Sequence, residues 1–178
     1  MAGRTAWRTR DMTLTALMAV LICVCTWICI PGPVPFTLQT LGVFTALELL
    51  GARRGFWAAA AYLVMGAAGL PVFAGMAGGI GILLGPTGGY LVGFLALALV
   101  YRGVTALPGR DGVLRVAGHL LGLVVCYAMG TAWFVLVSGG AAGVKAALVT
   151  CVAPFVLPDL VKLALALWLG KRLRRYAR

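Results

Sequence analysis

The stretch VFAGMAGGIGILLGPTGGY, residues 72–90, decides how this chain is read. It holds seven glycines, carries no charge, and joins two long apolar runs. Glycine opens positive φ to the backbone and lets main chain approach a ligand or another helix closely, at an entropic cost. The stretch has no Lys-Ser/Thr ending of a phosphate loop and no G-x-G-x-x-G, so it does not read as a nucleotide cradle. Apolar Phe73, Leu83 and Leu84 beside available backbone N–H groups suit a loop lining a snug pocket. At its end, Gly89 and Gly93 have the small-xxx-small spacing of a helix contact, as do Gly118 and Gly122 further on.

The flanking runs belong to lipid. Of 178 residues, 62% are hydrophobic and 11% charged, with a mean hydropathy of +1.04. A soluble domain this small cannot hide so much apolar surface. Apolar runs divided by turn and charge signals give six spans, at about 11–30, 37–51, 55–71, 87–104, 115–137 and 156–171. The expected fold is all-α: one six-helix membrane domain over 1–178. The second and last spans are short, which implies that irregular backbone shares the membrane depth with them. Residues 142–155 read as an extra helical piece broken at Pro154 and Pro158 before the sixth span. The run after MAGRTAWRTR is too long for a signal peptide and lacks a cleavage site, so it reads as an uncleaved first span.

Charge sets the orientation. Arg4, Arg8 and Arg10, then Arg53 and Arg54, then Arg102, Arg110 and Arg115, and finally Lys171, Arg172, Arg174, Arg175 and Arg178 all fall on one side. These are thirteen of the fifteen basic residues, and the connections 31–36 and 72–86 have none. Positive residues stay inside, so both termini are expected in the cytoplasm and the glycine stretch outside. The same pattern explains the net charge of +11 without nucleic acid as a partner. All five tryptophans (Trp7, Trp27, Trp57, Trp133, Trp168) fall near span ends, as interfacial anchors do.

Few polar residues are left to carry chemistry. Lys145 reads as a solvated lysine at the outer surface. Asp159 and Lys162 lie at i, i+3 on one face of the last span, and ionisable groups at membrane depth face a cavity or a partner. Pro158 before Asp159 fits a helix start. Gln39, at the outer mouth of the second span with Thr37 and Thr40 beside it, brings an amide donor and acceptor. His119 reads as interfacial, and Glu48 as a partner of Arg53 a turn away. Five apolar-embedded cysteines read as structural thiols, with no metal-ligand spacing among them. One His and four carboxylates make an enzyme reading weak.

PFTLQTLGV (35–43), GLPVFAGMAGGIGILLGPTGGYLVGF (69–94) and PFVLPDLVK (154–162) together resemble the BioY family, the biotin-binding S components of energy-coupling-factor (ECF) vitamin transporters. The resemblance covers nearly the whole chain, and its most specific piece is LGPTGGY after a glycine loop. It implies a six-helix S-component fold in a bacterial plasma membrane, capture of biotin from outside, and no catalysis or cofactor. The implied partners are membrane lipid, a transmembrane T component and two ATP-binding subunits; homo-oligomerisation, autonomous transport and another vitamin as ligand stay open. Carried over by residue, the site comprises Gln39, Phe73, Gly78, Gly79, Tyr90, Asp159 and Lys162. Asp159 or Gln39 would accept the ureido N–H groups, and Lys162 would take the carboxylate.

Three departures stand out. Leu157-Pro158-Asp159 replaces a Pro-Gly-Asp pattern. Ala77 and Leu91 stand where some members have asparagine and arginine, which shifts weight onto Lys162. On span 1, Thr15-x-x-x-Ala19 is the nearest match to an A-x-x-x-A contact for the T component.

Overall fold

A computed structural model describes residues 8–32, 34–139 and 143–177, so Arg4, Trp7 and Arg178 lie outside the described residues. The chain is mostly helical. Helix α1 (Thr9–Trp27) leads into a hairpin of two-residue strands, β1 (Cys29–Ile30) and β2 (Phe36–Thr37), paired antiparallel with Cys29 opposite Thr37. Helices α2 (Gln39–Leu50) and α3 (Ala52–Ala67) follow, joined by Gly51 alone. That residue caps both helices at φ +79°, a conformation that glycine reaches without a Cβ penalty.

The glycine stretch then runs through a 3-10 turn (Ala74–Met76) and a short helix α4 (Ile80–Leu84) into α5 (Gly88–Thr105). Helices α6 (Asp111–Val137), α7 (Val144–Cys151) and α8 (Ala153–Ala177) complete the chain. Among the described residues, four helices, α1, α5, α6 and α8, are long and apolar enough to cross a membrane; α2 and α3, at 12 and 16 residues, are shorter.

The expected helical piece before the sixth span is α7, but the break falls at Val152 rather than at Pro154 and Pro158. Pro154 lies in the first turn of α8, where a missing N–H costs nothing, and Pro158 is carried inside the helix. The last span is therefore long, not short, and Asp159 does not start a helix.

Helices α5 and α6 form the tightest pair. A Cβ on Gly93 would meet Cys126, one on Gly118 would lie 3.1 Å from the Tyr101 ring, and one on Gly122 would lie 2.9 Å from Leu97. A Cβ on Gly89 would meet Trp133. Both small-xxx-small pairs are thus the seam of one helix–helix contact, where missing side chains let backbones close up. Thr15 and Ala19 of α1 are buried inside the bundle, so that pair is not offered to another subunit. The core gathers Ile22, Phe44, Leu47, Tyr62, Phe73 and Leu97 from five segments.

One end of the molecule collects charge. Arg54 at the start of α3 pairs with Asp11 of α1 at 3.1 Å. Glu48 near the end of α2 faces Arg115 of α6, and Gly170 of α8 packs against it. The glycine segment and the hairpin lie at the other ends of these helices. Trp27, Trp57 and Trp168 expose about half their surface there or at the charged end.

Candidate functional site

Between the hairpin, the glycine segment and the neighbouring ends of α2, α5, α6, α7 and α8 lies an open cavity. Its empty volume is about 720 Å³, open solvent at the mouth included. Val34, Pro35, Ala74 and Thr87 line it from the two connections. Leu91, Phe94, Leu123, Cys126 and Cys151 make an apolar wall, and Tyr90 and Phe155 add rings. Thr37, Gln39, Thr40, Tyr127, Asp159 and Lys162 supply the polar atoms.

Asp159 and Lys162, three residues apart on α8, present both charged groups to this space, and both are buried. Lys162 Nζ donates to Asp159 Oδ1 at 2.7 Å and to the Thr37 carbonyl at 2.7 Å. It also sits 4.4 Å above the centre of the Phe36 ring, a cation–π placement. The second Asp159 oxygen accepts from Tyr127 Oη at 2.6 Å, and Thr40 Oγ1 donates to the first at 2.8 Å. One carboxylate thus joins α2, α6 and α8, and the lysine adds the hairpin. A charged pair removed from water is tolerated when its remaining lone pairs and protons are matched in this way.

Gln39, the first residue of α2, is buried, and its Nε2 donates to Tyr62 Oη of α3 at 2.8 Å. Tyr90 of α5 shares a 3.2 Å hydrogen bond with Thr131 of α6, and a Cβ on Gly130 would strike its ring. The cavity therefore brings together four of the seven expected site residues: Gln39, Tyr90, Asp159 and Lys162.

The other three shape the segment above it. Phe73 is buried against Tyr62 edge-to-face at 5.5 Å and fills the space over Gly66. Gly79, at φ +101°, donates its N–H to the Gly66 carbonyl at 2.7 Å. Gly78 lies so close to the Leu70 carbonyl that no Cβ fits. Two indoles hold the segment's ends: Trp27 donates to the Pro71 carbonyl at 2.8 Å, and Trp133 to that of Gly85 at 2.9 Å.

Tyr127, Thr40, Phe36 and Cys151 are the contributors that sequence reasoning did not assign. Thr40 stood next to Gln39. Tyr127 is one aromatic in a long apolar helix, and nothing in its local sequence marks it. Cys126 and Cys151 are buried thiols as expected, yet both also line the cavity. Lys145 is exposed, as expected.

His119 departs from its interfacial reading, because it is fully buried. Its Nε2 lies 3.1 Å from Glu48 Oε1, the Tyr101 ring lies 4.4 Å from its own, and Phe44 meets it edge-on. Tyr101 Oη also donates to Glu48 at 3.1 Å. Glu48 thus turns inward, and this cluster closes the charged end of the bundle, away from the cavity.

The profile of the BioY family matches residues 1–178. The chain is 41% identical over 167 residues to the "Biotin transporter BioY" of Thermotoga maritima, covering 93% of this chain and 96% of that one. It is 39% identical over 168 residues to the "Probable biotin transporter BioY" of Pyrococcus horikoshii, covering 94% and 98%. Among solved structures, the S component for biotin from an ECF-type ABC transporter superimposes with a TM-score of 0.82 at 26% identity, over 96% of this chain and 95% of that one.

Proposed function

The chain belongs to the BioY family, and from that premise we propose that it is the biotin-binding S component of an ECF importer. It is a multi-pass membrane protein and a transporter subunit, not an enzyme. The observation that carries the reading is the cavity itself: a compact apolar space with a matched, buried Asp159–Lys162 pair on one wall.

Biotin has a ureido ring with two N–H donors and a strong carbonyl acceptor, fused to an apolar ring. Asp159 and the Gln39 amide oxygen supply acceptors for the N–H groups, and the Gln39 amide and Lys162 supply donors for the carbonyl. Tyr90, Phe94 and Leu123 cover the apolar body. Phe73, Gly78 and Gly79 act one step back, holding the glycine segment over the ligand.

Further parts follow from the positive-inside pattern and the family. The single domain over 1–178 spans a bacterial plasma membrane six times, with α1, α2, α3, α5, α6 and α8 as spans. Both termini are cytoplasmic and the cavity opens outward. A T component and two ATP-binding subunits energise uptake.

Isothermal titration of the detergent-solubilised protein with biotin, thiamin and riboflavin tests the ligand. Tight binding of biotin alone is expected. Folded protein that ignores biotin, or that prefers another vitamin, sinks the assignment. Uptake of labelled biotin by cells expressing the chain with and without the other subunits tests the partners.

A further inference from the structure

Asp159 and Lys162 are the charged residues of the cavity lining, and they cancel each other. Lys162 already holds Asp159, the Thr37 carbonyl and the Phe36 ring. Drawing it onto a ligand carboxylate would place that anion beside Asp159 and strip Asp159 of its cation, so the cavity would gain a net negative charge either way. Burying an uncompensated carboxylate is strongly unfavourable. The connections that form the rim, 31–36 and 72–86, contain no basic residue. Lys145 is exposed and six residues, about 9 Å along α7, from cavity-lining Cys151. Among the described residues, no cation is placed to take an acid tail inside the cavity.

We propose that the site recognises the neutral ring end of biotin and leaves the carboxyl end at the open mouth, in water. The ligand class is then cyclic ureas with an apolar body and an unconstrained tail. Biotin amides and esters, including biotin linked to the lysine side chain, are bound along with free biotin. This rests on the biotin-binding reading and names what that same site selects.

The test is titration of the purified full chain with biotin, biotinamide, biotin methyl ester and biotinyl-lysine. A charge-assisted hydrogen bond to the tail would contribute roughly tenfold or more to affinity. Expected is a dissociation constant for biotinamide within about tenfold of that for biotin, set by the same threshold. Tight biotin binding with an amide weaker than that overturns the proposal but leaves the biotin reading intact. Failure of folded protein to bind biotin overturns the biotin reading, and the proposal with it. Lys162→Met supplies a second readout: it should weaken biotin and biotinamide by equal factors. A loss confined to free biotin would assign Lys162 to the carboxylate and sink the proposal.

Discussion

Asp159 accepts from three partners, Thr40, Tyr127 and Lys162, at membrane depth. The pair it forms with Lys162 is neutral together and costly apart. Removing one member of a buried pair costs about 3–5 kcal/mol, because the survivor is left charged without a partner. Asp159→Asn and Lys162→Met should therefore each lower the thermal midpoint in detergent by several degrees. The double variant should recover much of the midpoint while still failing to bind biotin. A double variant no more stable than the worse single one would show that the pair is not coupled. Tyr127 acts through Asp159: its 2.6 Å hydrogen bond fixes the carboxylate rotamer. Tyr127→Phe should weaken biotin binding roughly tenfold, as loss of a bond to a charged group does, with little change in midpoint. Titration at unchanged affinity would remove Tyr127 from the site.

At the scale of elements, glycines separate into those that must lack a side chain and those that merely do. Gly88 opens α5 against the Leu83 carbonyl, leaving no room for a Cβ, whereas Gly81 in α4 faces open space. Gly88→Ala should cut the yield of folded protein or abolish biotin binding, and Gly81→Ala should do neither. Equal behaviour of the two in size-exclusion and titration would mean that the segment does not close tightly there. Such distinctions are only half legible in a sequence. Gly89 with Gly93, and Gly118 with Gly122, announce a helix seam by spacing alone, and α5 and α6 meet along it. The Asp159–Lys162 pair is equally legible, since charge in an apolar run has to be explained. Tyr127 is silent because its role depends on where α6 passes α8, a tertiary fact. Pro158 misled because proline usually ends helices, whereas α8 tolerates it in its second turn. Of the loop residues Phe73, Gly78, Gly79 and Tyr90, only Tyr90 lines the cavity, while the other three pack against Gly66 and Leu70, a difference that spacing does not show.

For the whole molecule, the two ends differ in kind. One holds the cavity between connections free of basic residues. The other holds Arg54 with Asp11, and Glu48 with Arg115, His119 and Tyr101, closed by Gly170 of α8. That asymmetry fits the proposed orientation, with the open cavity end outward and the sealed, basic end toward cytoplasm and anionic lipid. The orientation proposed from the positive-inside pattern can be read directly. Gly81 and Gly103 are exposed, each with space for a side chain, and lie toward opposite ends. Half-buried Cys29 is the most accessible native thiol, since the other four are buried. In a Cys29→Ser background, Gly81→Cys should react with a membrane-impermeant maleimide in intact cells. Gly103→Cys should react only after permeabilisation. The reverse pattern would invert the topology and put the cavity on the wrong side for import. Labelling of both in intact cells would mean that α5 does not cross the bilayer. Biotin added first should also slow labelling of the Gly81→Cys variant, the result expected of a segment held over the ligand; an unchanged rate would confine the segment to a passive rim.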